Sequence, residues 1–329
     1  MRTGRIVVAL LMVFVMLGVC ASSSFALWGK PKTKTEQANA DLGLGEYTGL
    51  KHAIGCKDFE NDAGWSGRWD LGRNLTAMLE SALYDTGRFV LVEREKLRDV
   101  MLEQDLVASG RAAKAKSVAK TGVIRPAKYI ATGSVTEVSQ NQSGASGGIS
   151  TPFGRIGGKA SDTRVAIIVK LVDTSTSEIV AKERIEGVAG KKGLDLSNIR
   201  IPGTSTSVDM GGFKKDPLGQ AAQDCINQAA KFIAIQMETF PFEGSVIKVD
   251  GDEVLINRGS EFGVEPGQML VMETEGETLI DPSTGAVLGV EDGDQIGTMK
   301  VTKVREKFSY CQVTDGEKSP ARGTIVKAK

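Results

Sequence analysis

The sequence is poor in the side chains that most often build catalytic or metal sites. Its 329 residues contain one histidine and four cysteines. The single His52 argues against zinc and against histidine-based acid–base chemistry, and its simplest interpretation is that it begins a strand. Cys56, Cys225 and Cys311 lie far apart with no C-x-x-C pair, so we predict no redox dithiol, no metal and no cofactor. Three buried thiols or one disulfide remain the alternatives for these cysteines.

An excess of charge of one sign is also missing. The chain has 41 basic and 41 acidic residues. Removal of the first 26 residues takes away Arg2 and Arg5 and no acid, which leaves 39 basic against 41 acidic residues. Such a balance gives no field for nucleic acid. No Walker lysine motif and no H-E-x-x-H motif occurs, so we predict that the protein is not an enzyme.

Long hydrophobic runs are absent except at the N-terminus. Arg2 and Arg5 precede the apolar run Ile6–Val19, which is the pattern of an export signal over residues 1–26. Ser24-Phe25-Ala26 fits a cleavage site after Ala26, whereas Leu17-Gly18-Val19-Cys20 resembles a lipoprotein box with lipidation at Cys20. Both processing routes predict an exported protein. No later segment is apolar enough for a membrane helix, so membrane contact would need a lipid or β-strands.

The mature chain divides into three parts. Residues 27–48 are polar and aperiodic and are predicted to form a linker or an extended arm. Residues 49–241 are predicted to form a domain of mixed helices and strands, and residues 242–329 a smaller β domain. In the middle part, hydrophobic periodicity and Gly87 predict a helix from Leu71, and Asp216-Pro217 predicts the start of another. Glu93-Arg94 is predicted to open a further helix. The predicted strands of this part are Lys51–Phe59, Phe89–Val92, Lys128–Val138, Arg164–Asp173 and Glu178–Gly187.

Two further predictions concern one helix of the middle part and the architecture of the last part. The helix after Glu93-Arg94 is predicted to place Leu97, Val100 and Met101 on one buried face. After residue 242, short strands alternate with turns such as Asp250-Gly251-Asp252, which is typical of a small barrel or sandwich. The predicted strands there are Val246–Val249, Val254–Ile256, Met269–Glu273 and Ile296–Val304. The fold class is therefore α+β or α/β, with a small all-β domain at the end.

Four segments of the middle part together resemble a known family. Thr86–Gln104 is similar to the "TGRF-x-V-x-ER-x-x-L" core of the curli secretion channel family, the CsgG family. Tyr129–Val135 is similar to another of its segments, and Val169–Thr174 with Glu178–Val180 resembles its "LVD-x-x-TGEIV" hairpin. With the first strand and its loop, the resemblance covers residues 50–240. It implies a periplasmic mixed-sheet core and homo-oligomeric rings at the bacterial outer membrane.

The resemblance also implies two insertions that become membrane β-hairpins when subunits assemble. The corresponding segments are Gln140–Arg164 and Arg184–Phe213. Membrane strands need about nine to eleven residues with one apolar face, and alternation here is incomplete. The candidate lipid-facing residues are Ile149, Phe153, Ile156, Leu194, Leu196, Ile199 and Ile201. A pair of long surface loops is the alternative, although long loops without structure are uncommon in compact domains.

A third segment implied by the resemblance is the constriction of a channel. It corresponds to the loop after the first strand, Asn61–Gly72, with Asn61, Trp65, Arg68 and Trp69 as the residues facing the conduit. Aromatic faces at a constriction contact an extended polypeptide without sequence preference. The alternative is that both tryptophans fold back over the start of the following helix.

The C-terminal part is similar to a different family. Ile256–Gly259, Gly263–Gly267 and Ile280–Pro282 resemble the C-terminal domain of the flagellar assembly protein T family. That resemblance implies a structural ring in the periplasm.

Both resemblances predict an envelope assembly rather than an enzyme. The first hypothesis is a homo-oligomeric secretion or assembly channel at the outer membrane, with an exported polypeptide or an envelope-assembly component as partner. The alternative is a soluble or lipid-anchored periplasmic scaffold or adaptor ring without membrane insertion. Either hypothesis places the protein in the periplasm or outer membrane of a Gram-negative-type cell.

Overall fold

The computed structural model describes residues 32–112, 118–142, 149–151, 154–156, 161–189, 213, 216–285, 287–291, 293–316 and 320–329. In this part of the chain, mixed helices and sheets precede an all-β unit, as the sequence predicts. The helices are α1 (Lys34–Asp41), α2 (Leu71–Thr86), α3 (Leu97–Ala108) and α4 (Pro217–Glu238). The strands of the first unit are β1 (His52–Cys56), β2 (Glu60–Asn61), β3 (Phe89–Val92), β4 (Tyr129–Gln142), β5 (Ile149–Thr151), β6 (Gly154–Ile156), β7 (Ser161–Asp173) and β8 (Ile179–Val188).

The central sheet has the order β3-β1-β4-β7-β8. Strand β1 runs parallel to β3 and β4, whereas β4, β7 and β8 are successively antiparallel. The short β2 adds to β4 beyond the end of β1, with Asn61 opposite Val135. The sheet is therefore mixed, because a parallel crossover unit is joined to an antiparallel hairpin.

Helices α2 and α4 cover one face of this sheet and share one hydrophobic core with it. Local signals define both helices. The Asp70 carboxylate caps α2 by accepting from the Arg73 amide at 3.2 Å, and Gly87 ends it in the left-handed region at φ 66°. The Asp216 carboxylate caps α4, with Pro217 at its first position. Both helix starts and the Gly87 stop are confirmed.

The segment 27–48, predicted as a polar linker, contains helix α1 instead. A capping box between Thr33 and Glu36 begins this helix. The Asn39 amide donates to the Thr86 carbonyl at 2.9 Å, and the Lys34 ammonium lies 2.6 Å from the Asp85 carboxylate. The linker interpretation was wrong here because α1 is held by polar contacts to the end of α2 rather than by an apolar stripe.

Helix α3 forms as predicted, but its apolar face is not buried. It begins at Leu97, three residues after Glu93-Arg94, and within it only Gln104 is buried. Val100 is 39% and Met101 50% exposed. The prediction of a buried face was wrong because no described helix or strand packs extensively against α3.

The C-terminal unit is a closed six-stranded barrel, which decides between the barrel and the sandwich. The strands of this unit are β9 (Glu243–Asp250), β10 (Glu253–Ile256), β11 (Met269–Glu273), β12 (Thr278–Ile280), β13 (Val287–Val290), β14 (Gln295–Val304), β15 (Ser309–Gly316) and β16 (Ile325–Ala328). The strand order of the barrel is β10-β15-β14-β11-β16-β9, and a two-stranded arm, β12–β13, lies between β11 and β14 in the chain. A second hydrophobic core fills the barrel.

The barrel contacts the end of the central sheet where β4 begins. The Lys51 amide donates to the Phe262 carbonyl at 2.8 Å, and the Arg125 and Lys128 side chains pair with Glu261 at 2.5 Å and Glu243 at 2.6 Å. We call this the barrel end of the sheet, marked by the paired residues Tyr129 and Asp173.

The three cysteines of the described chain are free and buried. Burial raises the pKa of Cys311 to about 12, which keeps that thiol protonated at physiological pH. The expectation of three buried thiols is therefore confirmed over the disulfide. Cys20, the candidate lipidation site, lies outside the described residues.

Candidate functional site

The segments with predicted channel roles leave the central sheet at the end opposite the barrel. There Val138, Val165 and Gly187 are cross-strand neighbours on β4, β7 and β8. We call this the insertion end of the sheet. The first insertion connects β4 to β7 and the second follows β8, so antiparallel pairing brings both to this end.

The first insertion, Gln140–Arg164, has β structure where it is described. Strands β4 and β7 remain paired as far as Gln142 and Ser161. Within the insertion, β5 and β6 form a separate antiparallel pair, in which the candidates Ile149 and Ile156 are directly opposite each other. Phe153 lies outside the described residues. Strand pairing thus continues well beyond the sheet core into the predicted hairpin.

The second insertion, Arg184–Phe213, begins as the end of β8. Val188 pairs with Arg164, and the Ala189 amide donates to the Thr163 carbonyl at 2.9 Å. The candidates Leu194, Leu196, Ile199 and Ile201 lie outside the described residues. At the other end of the insertion, Phe213 is fully buried in the core under α2 and α4.

The predicted constriction loop closes on itself through Asn61. The Asn61 side chain accepts from the Trp65 amide at 3.1 Å and donates to the Trp65 carbonyl at 2.7 Å. The Trp65 indole donates to the Trp69 carbonyl at 3.1 Å. Gly67 lies beneath this indole, where an added Cβ would come within 2.1 Å of the ring. Asn61 and Gly67 therefore fix the Trp65 ring within the loop.

Trp69 connects the loop to the second insertion. Its ring lies 5.4 Å from that of Phe213, and the Arg68 guanidinium lies 4.6 Å above the Trp69 ring. Phe213 was predicted only as the last residue of the second insertion, although an aromatic residue just before the Asp216-Pro217 helix start is a signal for such an anchor. This contact joins the loop to Phe213, the last residue of the second insertion.

The four candidate constriction residues therefore lie together in one loop. Trp65 and Trp69 are half-buried against the main core, whereas Asn61 and Arg68 are exposed. The packing of both tryptophan rings against the core is what we expect if they fold back over the start of α2. The exposed parts of the rings are what a channel constriction would present to a passing polypeptide. The constriction role stays a prediction.

Substitution of each tryptophan measures how much the packing of its ring contributes to stability. We expect Trp69→Ala to lower the free energy of unfolding by about 2 kcal/mol, less than for a fully buried tryptophan, because its ring packs on Phe213. Trp65→Ala is expected to cost about 1 kcal/mol. Urea unfolding measures both, with Tyr84→Ala as the control because Tyr84 is 70% exposed. Equal stability of Trp69→Ala and wild type would contradict the packing contact.

A group of carboxylates surrounds Glu80 on α2. Burial, followed by the charges of Glu93, Glu95 and Asp58, raises the pKa of Glu80 from 4.5 to about 7. The folded state therefore holds a proton that the unfolded chain releases between these pH values. Glu80 therefore lowers the free energy of unfolding increasingly as the pH rises from 4.5 to about 7.

Glu80→Gln is expected to remove this pH dependence. At about pH 8 the variant should be more stable than wild type by about 1 kcal/mol, a value discounted because Glu80 is only half-buried. At about pH 4 the two should be equal, since Glu80 is protonated in both states. Urea unfolding at the two pH values measures the difference. A constant difference at both pH values would contradict the raised pKa.

His52 begins β1 at the barrel end, as predicted. Burial, followed by the charge of Lys128, lowers the pKa of His52. Its ring lies edge-on to Tyr129 at 6.1 Å and lines a cleft of about 360 Å³ between the sheet and the barrel. Among the described residues, no group of three or more histidine, cysteine or acidic side chains could hold a metal ion. No described helix has both the length and the apolar character needed to cross a membrane.

Comparison with known families identifies the chain. The model of the family described as "Curli production assembly/transport component CsgG" matches residues 35–254, and the chain belongs to this family. The match begins within α1 and ends within the barrel, so it extends beyond the predicted domain of residues 49–241 on both sides. By its description, the family is one of components of curli production assembly and transport.

The solved structures that match part of this chain have little sequence identity to it. The protein CT253 from Chlamydia trachomatis is 10% identical, with 56% of this chain and 96% of that chain covered and a TM-score of 0.34. The PelC dodecamer from Paraburkholderia phytofirmans is 12% identical, with coverage of 56% and 89% and a TM-score of 0.26. Lipoprotein GNA1162 from Neisseria meningitidis is 13% identical, with coverage of 50% and 93% and a TM-score of 0.25. No curated protein matches the sequence.

Proposed function

We propose that the protein is a subunit of a homo-oligomeric secretion or assembly channel at the outer membrane, of the curli-export type. The observation that carries the proposal is the convergence of three segments at the insertion end of the sheet. The loop Asn61–Gly72 and the insertions Gln140–Arg164 and Arg184–Phe213 all leave there, away from the barrel. In the proposed assembly, the insertion end of the sheet faces the membrane and the barrel end faces the periplasm.

The first insertion supports a membrane role through its backbone. Strand pairing between β4 and β7 runs without interruption from the sheet core to Gln142 and Ser161, apart from one bulge near Val135. In a bilayer every backbone amide and carbonyl must be paired, and a closed barrel of hairpins from several subunits meets this requirement. Homo-oligomerisation is thus part of the proposal, because one subunit's two hairpins would leave unpaired edges.

The loop supports a role in passage of an exported polypeptide. The exposed parts of Trp65 and Trp69, with the Arg68 guanidinium over the Trp69 ring, present aromatic faces on a loop whose shape is fixed by hydrogen bonds. In a ring of identical copies, such a loop from each subunit would narrow the central opening. Apolar and aromatic contacts accept many sequences, as export of an unfolded chain requires.

One observation favours a second candidate, a soluble or lipid-anchored periplasmic scaffold ring. The packing of Trp69 on the buried Phe213 holds the loop against the core within a single subunit. A scaffold would need neither a conduit nor membrane hairpins. Anchoring would then depend on acylation of Cys20.

Fractionation of cells expressing the full chain distinguishes the two candidates. A channel subunit is expected to stay in the outer-membrane fraction after a urea wash and to leave it in mild detergent as a large oligomer. Release by osmotic shock as a monomer would refute the channel. The mass of the mature N-terminus reports cleavage after Ala26 or a lipid on Cys20, and a urea-extractable lipidated protein would support the scaffold.

A further inference from the structure

The cleft beside His52 lies between the central sheet and the barrel, at the barrel end of the sheet. Its volume is about 360 Å³, within the range of about 300 to 1,000 Å³ that is typical of small-ligand sites. His52 and Lys128 line it from the sheet, and Phe242, Arg258 and Phe262 line it from the barrel unit. A ligand held in this cleft would therefore contact both units.

Cationic side chains outnumber carboxylates in the cleft. Among the described residues that line it, Lys51, Lys128 and Arg258 are cationic and Glu243 is acidic. The Lys128 ammonium lies 2.6 Å from the Glu243 carboxylate, so these two charges compensate each other. The described part of the chain provides no ion-pair partner for Lys51 or Arg258. The cleft therefore has an excess of positive charge.

The Arg258 guanidinium is fixed in position, yet most of its donors have no acceptor in the protein. Its central carbon lies 4.6 Å from the centre of the Phe262 ring and 5.9 Å from that of Phe242. A guanidinium has five N–H donors, and among the described residues it donates to the Asn257 carbonyl at 3.1 Å. Burial, followed by the charge of Arg125, lowers the pKa of Arg258. A bound anion would offset this cost of burying a cation.

The carboxylates near Arg258 are already paired with other cations. Glu243 pairs with Lys128 at 2.6 Å and Glu261 with Arg125 at 2.5 Å. An anion that complements Arg258 therefore comes from outside the subunit. A planar guanidinium fits the paired oxygens of a carboxylate or a phosphate. Glu243 in the lining repels a doubly charged phosphate more strongly than a singly charged carboxylate, which favours the carboxylate.

The uncharged part of the lining is mostly apolar. Phe242 and Phe262 belong to the barrel core and turn part of their rings to the cleft. Ala53, Pro126 and Pro241 also line it. Aromatic rings contribute large apolar contact areas to binding sites. A carboxylate alone would leave these walls without contact, whereas a carboxylate next to an apolar group would use both parts of the cleft.

We propose that this cleft binds a carboxylate carried on an apolar group. The Arg258 guanidinium and the Lys51 ammonium hold the carboxylate, and the rings of Phe242 and Phe262 contact the apolar group. The last residue of a polypeptide and a small carboxylic acid both have this chemistry. The site lies at the end of the sheet opposite the proposed membrane segments and does not depend on the proposed channel.

Titration of the full-length protein with N-acetylphenylalanine tests the site. N-acetylphenylalaninamide is the matched ligand, since it differs only in lacking the carboxylate. Saturation-transfer NMR measures both dissociation constants and is suited to large oligomers as well as to single copies. We expect the acid to bind about tenfold more tightly than the amide, because hydrogen bonds to a charged group are lost in the amide. Equal binding of the two would overturn the proposal.

Two further probes define the ligand. Hydrocinnamate has the same ring and carboxylate without a peptide group. Equal affinity for hydrocinnamate and N-acetylphenylalanine would identify a small carboxylic acid as sufficient, and weaker binding of hydrocinnamate would favour a polypeptide terminus. Inorganic phosphate is the competing anion. Tighter binding of phosphate than of N-acetylphenylalanine would overturn the assignment of a carboxylate.

Substitutions locate the bound carboxylate. We expect Arg258→Gln to weaken binding of N-acetylphenylalanine about tenfold and Lys51→Gln about threefold, with little change for the amide. Lys300→Gln is the control, because Lys300 is exposed and does not line the cleft. Thermal unfolding shows whether each variant is folded, and Lys51→Gln keeps the test decisive if Arg258→Gln is not. Wild-type affinity in Lys51→Gln, or in folded Arg258→Gln, would overturn the proposal.

His52 reports an anion in the cleft directly because the chain has no other histidine. Burial, followed by the charge of Lys128, lowers the pKa of His52; Arg258 acts in the same direction, and the Phe240 backbone and Glu243 oppose it. A bound carboxylate adds negative charge beside the imidazole and should raise this pKa. Hydrogen–deuterium exchange at the imidazole Cε1, read by mass spectrometry, measures the pKa with and without N-acetylphenylalanine. An unchanged pKa at saturation would overturn the location of the site.

Discussion

Replacing Arg88 with methionine is expected to lower the free energy of unfolding by about 3 to 5 kcal/mol. Arg88 is 4% exposed, and its guanidinium joins three separate segments. It donates to the Asn39 side chain at 2.8 Å, to the Gly45 carbonyl at 2.6 Å and to the Glu238 carboxylate at the end of α4. Methionine fills the space but leaves these acceptors without their donor.

The change should also release the N-terminal segment. Helix α1 is short and polar, and besides Arg88 it depends on the Lys34–Asp85 pair and on bonds from Asn39. We therefore expect faster proteolysis near residues 34–47 in Arg88→Met than in wild type. Arg88→Lys should lose most of the same stability because an ammonium cannot bridge three directions as a planar guanidinium does.

A surface arginine on the preceding helix provides the control. Arg73→Met removes an arginine that is 70% exposed and lies 3.9 Å from Asp70. Its effect should stay within about 0.5 kcal/mol, as for most exposed positions. Urea unfolding compares the two. Similar losses for Arg88→Met and Arg73→Met would contradict the role of Arg88 as the link between α1, the Gly45 backbone and α4.

Gly187→Ala is expected to cost about 3 kcal/mol and to disturb the start of the second insertion. A Cβ at Gly187 would lie 2.1 Å from the Ala221 carbonyl oxygen and 2.7 Å from the Cys225 amide, both in the backbone of α4. Backbone atoms cannot move aside as a flexible side chain can. Strand β8 and helix α4 would therefore have to separate.

Separation would break the contacts that hold β8 where it enters the insertion. The Asp224 carboxylate accepts from the Val188 amide at 3.1 Å, and the Gln228 side chain donates to the Glu186 carbonyl at 2.9 Å. Besides lower stability, we expect a smaller fraction of the protein in detergent-extracted oligomers. Gly45→Ala is the control, because a Cβ there meets nothing within 4 Å. Wild-type stability of Gly187→Ala would show that β8 and α4 are not in close contact.

Local signals in the sequence predicted most of the first unit. Helix α2 followed from its apolar spacing and Gly87, and α4 followed from Asp216-Pro217. Strand β3 was predicted with its observed bounds because it is short, apolar and flanked by turn residues. These elements depend on neighbours within a few residues, which is the information that a single sequence carries best.

The errors occurred where distant residues decide the structure. Helix α1 depends on Arg88, which lies 49 residues beyond Asn39. Because that partner is distant in the sequence, the polar composition of residues 27–48 predicted a linker. Strand β16 was missed because it is a short strand that pairs with β9, far away in the sequence. The face of α3 was predicted to be buried because hydrophobic periodicity identifies an apolar stripe on a helix but does not show whether another element covers it.

The candidate site was predicted in its positions but not in its contacts. The resemblance gave the loop and both insertions, and the sheet register brings all three to one end. It gave no sign that Trp69 would rest on Phe213, since this contact spans the whole second insertion. The resemblance of the barrel to the flagellar assembly protein T family stays a prediction.

Electron microscopy of the full-length protein, extracted from the outer membrane in mild detergent, measures the proposed assembly directly. Closed rings of identical copies with a central opening are the expected result, with the barrels on the side opposite the membrane belt. Single copies in the water-soluble fraction, with no rings after extraction of the membrane, would contradict the channel.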